Sequence, residues 1–177
     1  ALYNPNLAER DYRAVFTGIT PAQWQATEMV YICSPGNPTG QLMSLDEMLT
    51  LIDLAHQYDF VIVSDECYSE LYYDDAHVPC SLLEAAAQYR GDSTQRPFER
   101  CLSFHSLSKR SNLPGLRSGF VAGDATPIQQ YLSYRTYHGC AMSAQHQHAS
   151  TLAWRDESHV QENRMLYRDK FAAVTKI

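Results

Sequence analysis

Short apolar runs alternate along this chain with longer stretches whose apolar residues recur every three or four positions. A short run bounded by turn residues predicts a buried strand, and the wider spacing predicts an amphipathic helix. Residues 29–33 (MVYIC), 60–64 (FVIVS), 101–104 (CLSF) and 118–122 (SGFVA, closed by Gly123) are read as four strands. Ser44 with Glu47 three residues on predicts a capping box. Leu45, Met48, Leu49, Ile52 and Ala55 then fall on one face of the helix it opens. Further helices are predicted over 127–137, 141–153 and 158–174. Residues 73–96 read as a loop followed by a short helix near 81–89. Strands separated by helices predict an α/β fold, a mostly parallel sheet sandwiched by helices.

Composition adds limits. The 177 residues are 45% hydrophobic and 19% charged, enough for one domain with a real core. A formal net charge of -6 argues against a broad nucleic-acid or anionic-membrane face, though a local cationic pocket for a phosphate is compatible with it. No apolar run reaches membrane-spanning length, and the start shows no signal-peptide pattern. The five cysteines, Cys33, Cys67, Cys80, Cys101 and Cys140, include no C-x-x-C pair. Cys33 and Cys101 fall in predicted buried strands. Free thiols in a reducing compartment, the cytoplasm, are therefore expected. The chain begins without Met and stops inside a predicted helix, which reads as a fragment, with a processed native terminus as the alternative.

Candidate chemistry sits where the predicted strands end. In open α/β sheets, ligands bind beyond the carboxyl ends of the strands. Ser34-Pro35-Gly36-Asn37-Pro38-Thr39-Gly40 follows the first run, and Asp65 with Tyr68 follows the second. Ser106-Leu107-Ser108-Lys109 forms a loop after the third, and Arg117 enters the fourth. Taken singly, each has an ordinary explanation: a turn, a helix cap, a solvated lysine, a surface arginine. Taken in order, they supply an amide, a carboxylate with a phenol, an amine with two hydroxyls, and a guanidinium. His105 reads as a packing residue, and His138, His146, His148 and His159 as structural or solvated, so no metal site is expected. Tyr131, Tyr134 and Tyr137 recur at helical spacing and read as core or interface.

These segments resemble the fold-type I, pyridoxal-phosphate-dependent aminotransferases of class I and II, over nearly the whole chain. The resemblance implies a role for each residue. Lys109 bonds the cofactor covalently and, once released, moves a proton from the substrate Cα as a general base. Asp65 faces the pyridine nitrogen and favours its protonated form. Asn37, after which a cis bond to Pro38 is implied, and Tyr68 donate to the ring oxygen. Ser106, Ser108 and Arg117 bind the phosphate, with Ser106 the direct contact of the two serines. The implied activity is ping-pong transfer of an amino group between an amino acid, glutamate, and a keto acid, by a homodimer. The stretches 104–120 (FHSLSKRSNLPGLRSGF) and 137–142 (YHGCAM) look like the bacterial succinyldiaminopimelate aminotransferases of lysine biosynthesis. The second stretch is expected to approach an active site, its own or a partner's.

By the same resemblance, residues 1–157 are part of the cofactor-binding large domain, and 158–177 begin a helix leading to a small domain. Three features of the family are missing from this stretch: the aromatic that stacks on the ring, the glycine-containing part of the phosphate cup, and the arginine that clamps the substrate carboxylate. The stretch alone is expected to bind cofactor weakly. A β-lyase or cyclopropane-forming synthase on the same scaffold shares these motifs, and so does a non-catalytic regulator carrying an aminotransferase-like domain.

Overall fold

The computed structural model describes residues 12–72, 74–89, 96–139 and 141–174. Two short helices, α1 (Tyr12–Thr17) and α2 (Pro21–Gln25), precede the first strand. Thr20 accepts from Gln23 N, and the Gln23 side chain returns to the Thr20 backbone, with Pro21 in the first turn. Strand β1 (Met29–Cys33) lies where the apolar run predicts it. The capping box at Ser44 and Glu47 is present and opens α3 (Leu45–Tyr58). The helix buries Met48, Leu51, Ile52 and Ala55 and stops at Asp59, a left-handed residue with φ 64°.

The next elements differ from the predicted boundaries by a few residues. β2 spans Val61–Asp65 rather than 60–64, and β3 spans Cys101–Ser106, two residues longer than expected. α4 (Leu82–Gln88) starts behind Ser81, which accepts from Leu83 N, and lies inside the predicted 81–89. The polar residues Asp65 and Ser106 belong to strands because pairing, rather than hydrophobicity, sets the ends: Asp65 pairs with Cys33 and Phe104, and Ser106 with Gly119. Lys109 is not in a loop as expected but on a single helical turn, α5 (Leu107–Arg110), capped by Ser106. β4 (Gly119–Gly123) starts two residues after Arg117. α6 (Ala125–Tyr137) begins two residues before 127, because Asp124 caps it and Pro127 falls in the first turn, where no amide bond is lost. α7 (Ala144–Arg155) is capped by Ser143 and so begins three residues after the predicted 141 and ends two after 153. α8 spans Ser158–Val174, as predicted.

The sheet order is β1-β2-β3-β4. β1, β2 and β3 are parallel, and β4 runs antiparallel to β3. The reversal has a consequence for the site. The amino end of β4 lies beside the carboxyl end of β3, so residues just before β4 reach the rim where the parallel strands end. Close pairing at both ends of β4 requires glycine. A Cβ on Gly123, whose φ is +136°, would lie 1.9 Å from the Cys101 carbonyl, and one on Gly119 2.3 Å from that of His105.

One face of the sheet packs against α2, α3 and α4. Ile32, Ile62 and Cys101 meet Trp24, Met48, Leu51, Ile52, Phe60 and Leu82, all buried. The Trp24 and Phe60 rings stack at 5.4 Å between centroids. Each such apolar side chain contributes roughly 1.5–3 kcal/mol by leaving water. The other face is different. Tyr131 of α6 meets Phe104 edge-on, while Met29 and Tyr31 are 60% and 59% exposed. β1 is therefore buried on one face only, and Cys33 is half-buried, which corrects the reading of a fully buried strand. The α6 tyrosines are not core either, since that helix buries none of its residues. No helix among the described residues is long and apolar enough to cross a membrane.

Candidate active site

The loop after β1 is held by its own backbone. Gly36 N donates to Gln41 O at 2.9 Å, and Met43 N donates to the buried Ser34 hydroxyl at 3.0 Å. The Asn37–Pro38 bond is cis, as the motif implies, and Ser34–Pro35 is cis as well. Asn37 Nδ2 donates to the Tyr68 hydroxyl at 3.2 Å, joining the first strand end to the second. Lys109 Nζ lies 5.7 Å from the centre of the Tyr68 ring. Three predicted residues from three strand ends thus meet around one phenol.

Tyr68 and Lys109 line a hollow of about 400 Å³ that continues past Pro35, Leu42, Tyr72 and Phe171. That volume is within the range of small-molecule sites, about 300–1,000 Å³. Asn37 joins it through its bond to Tyr68, without lining it.

The remaining predicted residues lie outside that lining. Asp65 ends β2, its Oδ2 accepting from the Tyr31 hydroxyl at 2.6 Å and its Oδ1 from Cys67 N at 3.1 Å. Burial works against its charge. Bonds from Tyr31 and Cys67, with the nearby His105, outweigh burial and hold the carboxyl below its ordinary value. Ser106 Oγ donates to Ser108 Oγ at 2.9 Å and accepts from Ser108 N, so the Ser106 hydroxyl caps α5 and engages the Ser108 hydroxyl. Ser106 also lines a second hollow of about 290 Å³ beside Glu66 and His105. Arg117 is not in a strand but left-handed, φ 51°, at the end of a short 3-10 turn (Pro114–Leu116), with Nη1 donating to Pro114 O at 2.9 Å.

Burial, the leading cause, raises the four described thiols, Cys67 and Cys101 to about 12. None is a thiolate nucleophile near neutral pH. All four are free, and Cys140 lies outside the described residues, as does part of the 137–142 stretch. His105 packs as expected, its ring stacked on Phe120 at 4.8 Å. Residues 1–176 match the family model for aminotransferase class I and II.

The chain belongs to that family. Class I/II aminotransferases are pyridoxal-phosphate-dependent enzymes, and the solved structures this chain resembles share their fold. An aminotransferase from Neisseria meningitidis is 50% identical, with a TM-score of 0.81 over 89% of this chain and 38% of that one. A probable aminotransferase of Mycobacterium tuberculosis is 35% identical over 150 residues, 85% of this chain and 34% of that protein. An LL-diaminopimelate aminotransferase of Nitratidesulfovibrio vulgaris is 29% identical over 167 residues, 94% of this chain and 41% of that protein. The chain therefore spans less than half the length of the curated relatives it matches.

Sequence reasoning missed several residues that build this candidate site. Glu66 is 1% exposed, and its Oε1 accepts from Leu82 N at 2.9 Å, fastening the start of α4 to the end of β2. Its Oε2 faces His105 Nε2 at 3.6 Å. Arg110, buried, donates to Ala153 O at 3.0 Å, pairs with Glu157 and lies over the Trp154 ring. Asn163 donates to the Lys109 carbonyl at 3.2 Å. Arg164 pairs with Glu70 and covers Tyr72 at 4.1 Å. Together these bonds fix the turn carrying Lys109 and the loop after Tyr68 against α7 and α8. The one sequence signal was a Glu beside an Asp at the end of an apolar run.

Proposed function

We propose that this chain forms the cofactor-holding part of a pyridoxal-phosphate-dependent aminotransferase, with Lys109 as its catalytic residue. The observation that carries the reading is the Lys109 amine set against the Tyr68 ring, whose hydroxyl accepts from Asn37, at the wall of a ligand-sized hollow. The residue set suits a phosphorylated pyridine aldehyde: an amine, a phenol with an amide, a carboxylate held in its charged form, two hydroxyls and a guanidinium.

When bound, the cofactor supplies an electron-withdrawing ring and a carbonyl carbon that bonds an amine. Lys109 Nζ would hold the cofactor through that carbon and, once free, would take a proton from the substrate Cα. Asn37 and Tyr68 would orient the ring through its oxygen. Asp65 would set a negative charge against the ring nitrogen. Ser106, Ser108 and Arg117 would hold the phosphate, to which the Arg117 guanidinium would offer a planar fork of N–H donors.

For the substrate, we infer glutamate as donor and an N-succinylated keto acid of the diaminopimelate series as acceptor, in lysine biosynthesis. The support is the run 104–120 and the 137–142 stretch, together with a relative named for LL-diaminopimelate. We also infer a homodimer. Residues 1–157 are read as part of the large domain and α8 as the start of the helix leaving it.

Loading the protein with the cofactor is expected to produce a visible absorption band that glutamate shifts. Lys109→Ala should abolish the band. A Lys109→Ala protein that keeps it refutes the assignment, and a band unmoved by glutamate alone refutes transamination from glutamate.

A further inference from the structure

Asp65 is held through both carboxylate oxygens, one of them from the neighbouring strand. Tyr31 on β1 pairs in register with Val63 of β2, one same-face step before Cys33, the partner of Asp65. Alternate residues share a face, so the phenol approaches the carboxylate from within the sheet. Asp65 ends β2, and the loop that follows it carries Tyr68, where Asn37 and Lys109 meet. The bond from Tyr31 OH to Asp65 Oδ2 is 2.6 Å, in the range of charge-assisted O–H···O⁻ bonds, and it links residues 34 apart in sequence. Cys67 N takes the other oxygen at 3.1 Å.

We propose that Tyr31 is a positioning residue of this site, holding the Asp65 carboxylate ionised and aimed so that it can pair with a protonated ring nitrogen. The inference rests on the cofactor reading above and gives it a component that no strand-end motif contains. Tyr31 is otherwise hard to explain, since its ring is mostly exposed on a sheet face that buries little. The groups facing Asp65 are Tyr31 and Cys33 from β1, Cys67 from its own loop and His105 from β3. The Cys33 and Cys67 thiols are held protonated, first by burial. The Tyr31 phenol is itself raised, by burial first and then by its bond to Asp65, so it remains a donor at working pH.

The test is Tyr31→Phe in the full chain, which keeps the ring and the strand and removes one hydroxyl. In the apoprotein, carboxyl NMR should show the Asp65 titration moving up toward its ordinary value. The sign follows from linkage. A carboxyl depressed on folding stabilises the fold above its unfolded pKa, and that stability is lost as pH falls through the folded value. Tyr31→Phe narrows this window, so acid unfolding begins at higher pH. The cofactor dissociation constant should rise roughly tenfold, the size of one bond to a charged group. An unchanged Asp65 titration, or an unchanged dissociation constant, overturns the role of Tyr31. Asp65→Asn separates the two levels. If it weakens cofactor binding while Tyr31→Phe does not, only the Tyr31 role falls; if Asp65→Asn also binds as wild type, the cofactor reading falls and takes this inference with it.

Discussion

The two sides of the Lys109 turn are built by different physics. On one side, β1, β2 and β3 pack against α2, α3 and α4 through a continuous apolar core in which Met48, Leu51, Ala55, Phe60 and Ile62 have no exposed surface. On the other side, α7 buries only Ser150 and α8 only Val160. Those helices are held instead by polar links: Arg110 to Ala153 and Glu157, Asn163 to the Lys109 carbonyl, Arg164 to Glu70, and Ser118 to Ser150 at 2.6 Å. Nondirectional burial makes the first half a platform. Directional bonds make the second half a clamp that orients one short turn. A site needing an amine at a defined place uses both, because a four-residue helix has too few internal bonds to hold itself.

The contrast yields graded expectations. Phe60→Ala should cost most, about 3–5 kcal/mol in urea unfolding, because it opens a cavity between Trp24 and the sheet. A loss below about 1 kcal/mol would mean that the platform is not close-packed. Arg110→Met should cost less, about 1–2 kcal/mol, since it removes a bond to Ala153 O and the contact over Trp154. Its partner Glu157 is 61% exposed, so no buried charge is stranded. A loss equal to that of Phe60→Ala would erase the distinction between platform and clamp. Leu132→Ala, at a site 66% exposed on α6, should fall within about 0.5 kcal/mol. A larger change would show that this face of α6 is covered in solution.

Legibility follows the same division. The α3 capping box, β1 and the full length of α8 were readable because each is written locally, in a Ser–Glu spacing, an apolar run or a helical period. The Thr20–Gln23 box was equally local, yet α2 is too short to show a period. The motif residues were legible as a set. Their distribution was not: Asn37, Tyr68 and Lys109 come together, while Asp65 is engaged by Tyr31 and Arg117 by its own turn. Tyr31 looked like strand filler, and Glu66 and Arg110 like ordinary charges, because burial and partners 16 to 47 residues away leave no periodic trace.

By itself, the order of residues determined the α/β class, most element positions and the types of donor available at the strand ends, since propensity, capping and patterning act over a few residues. Only the tertiary structure decided that β4 runs backwards and brings its amino end to the rim, that Lys109 rides a helical turn, and that one open-face tyrosine bonds Asp65. Strand direction, pairing register and side-chain partners depend on contacts between segments far apart in the chain, and those form only when the sheet assembles.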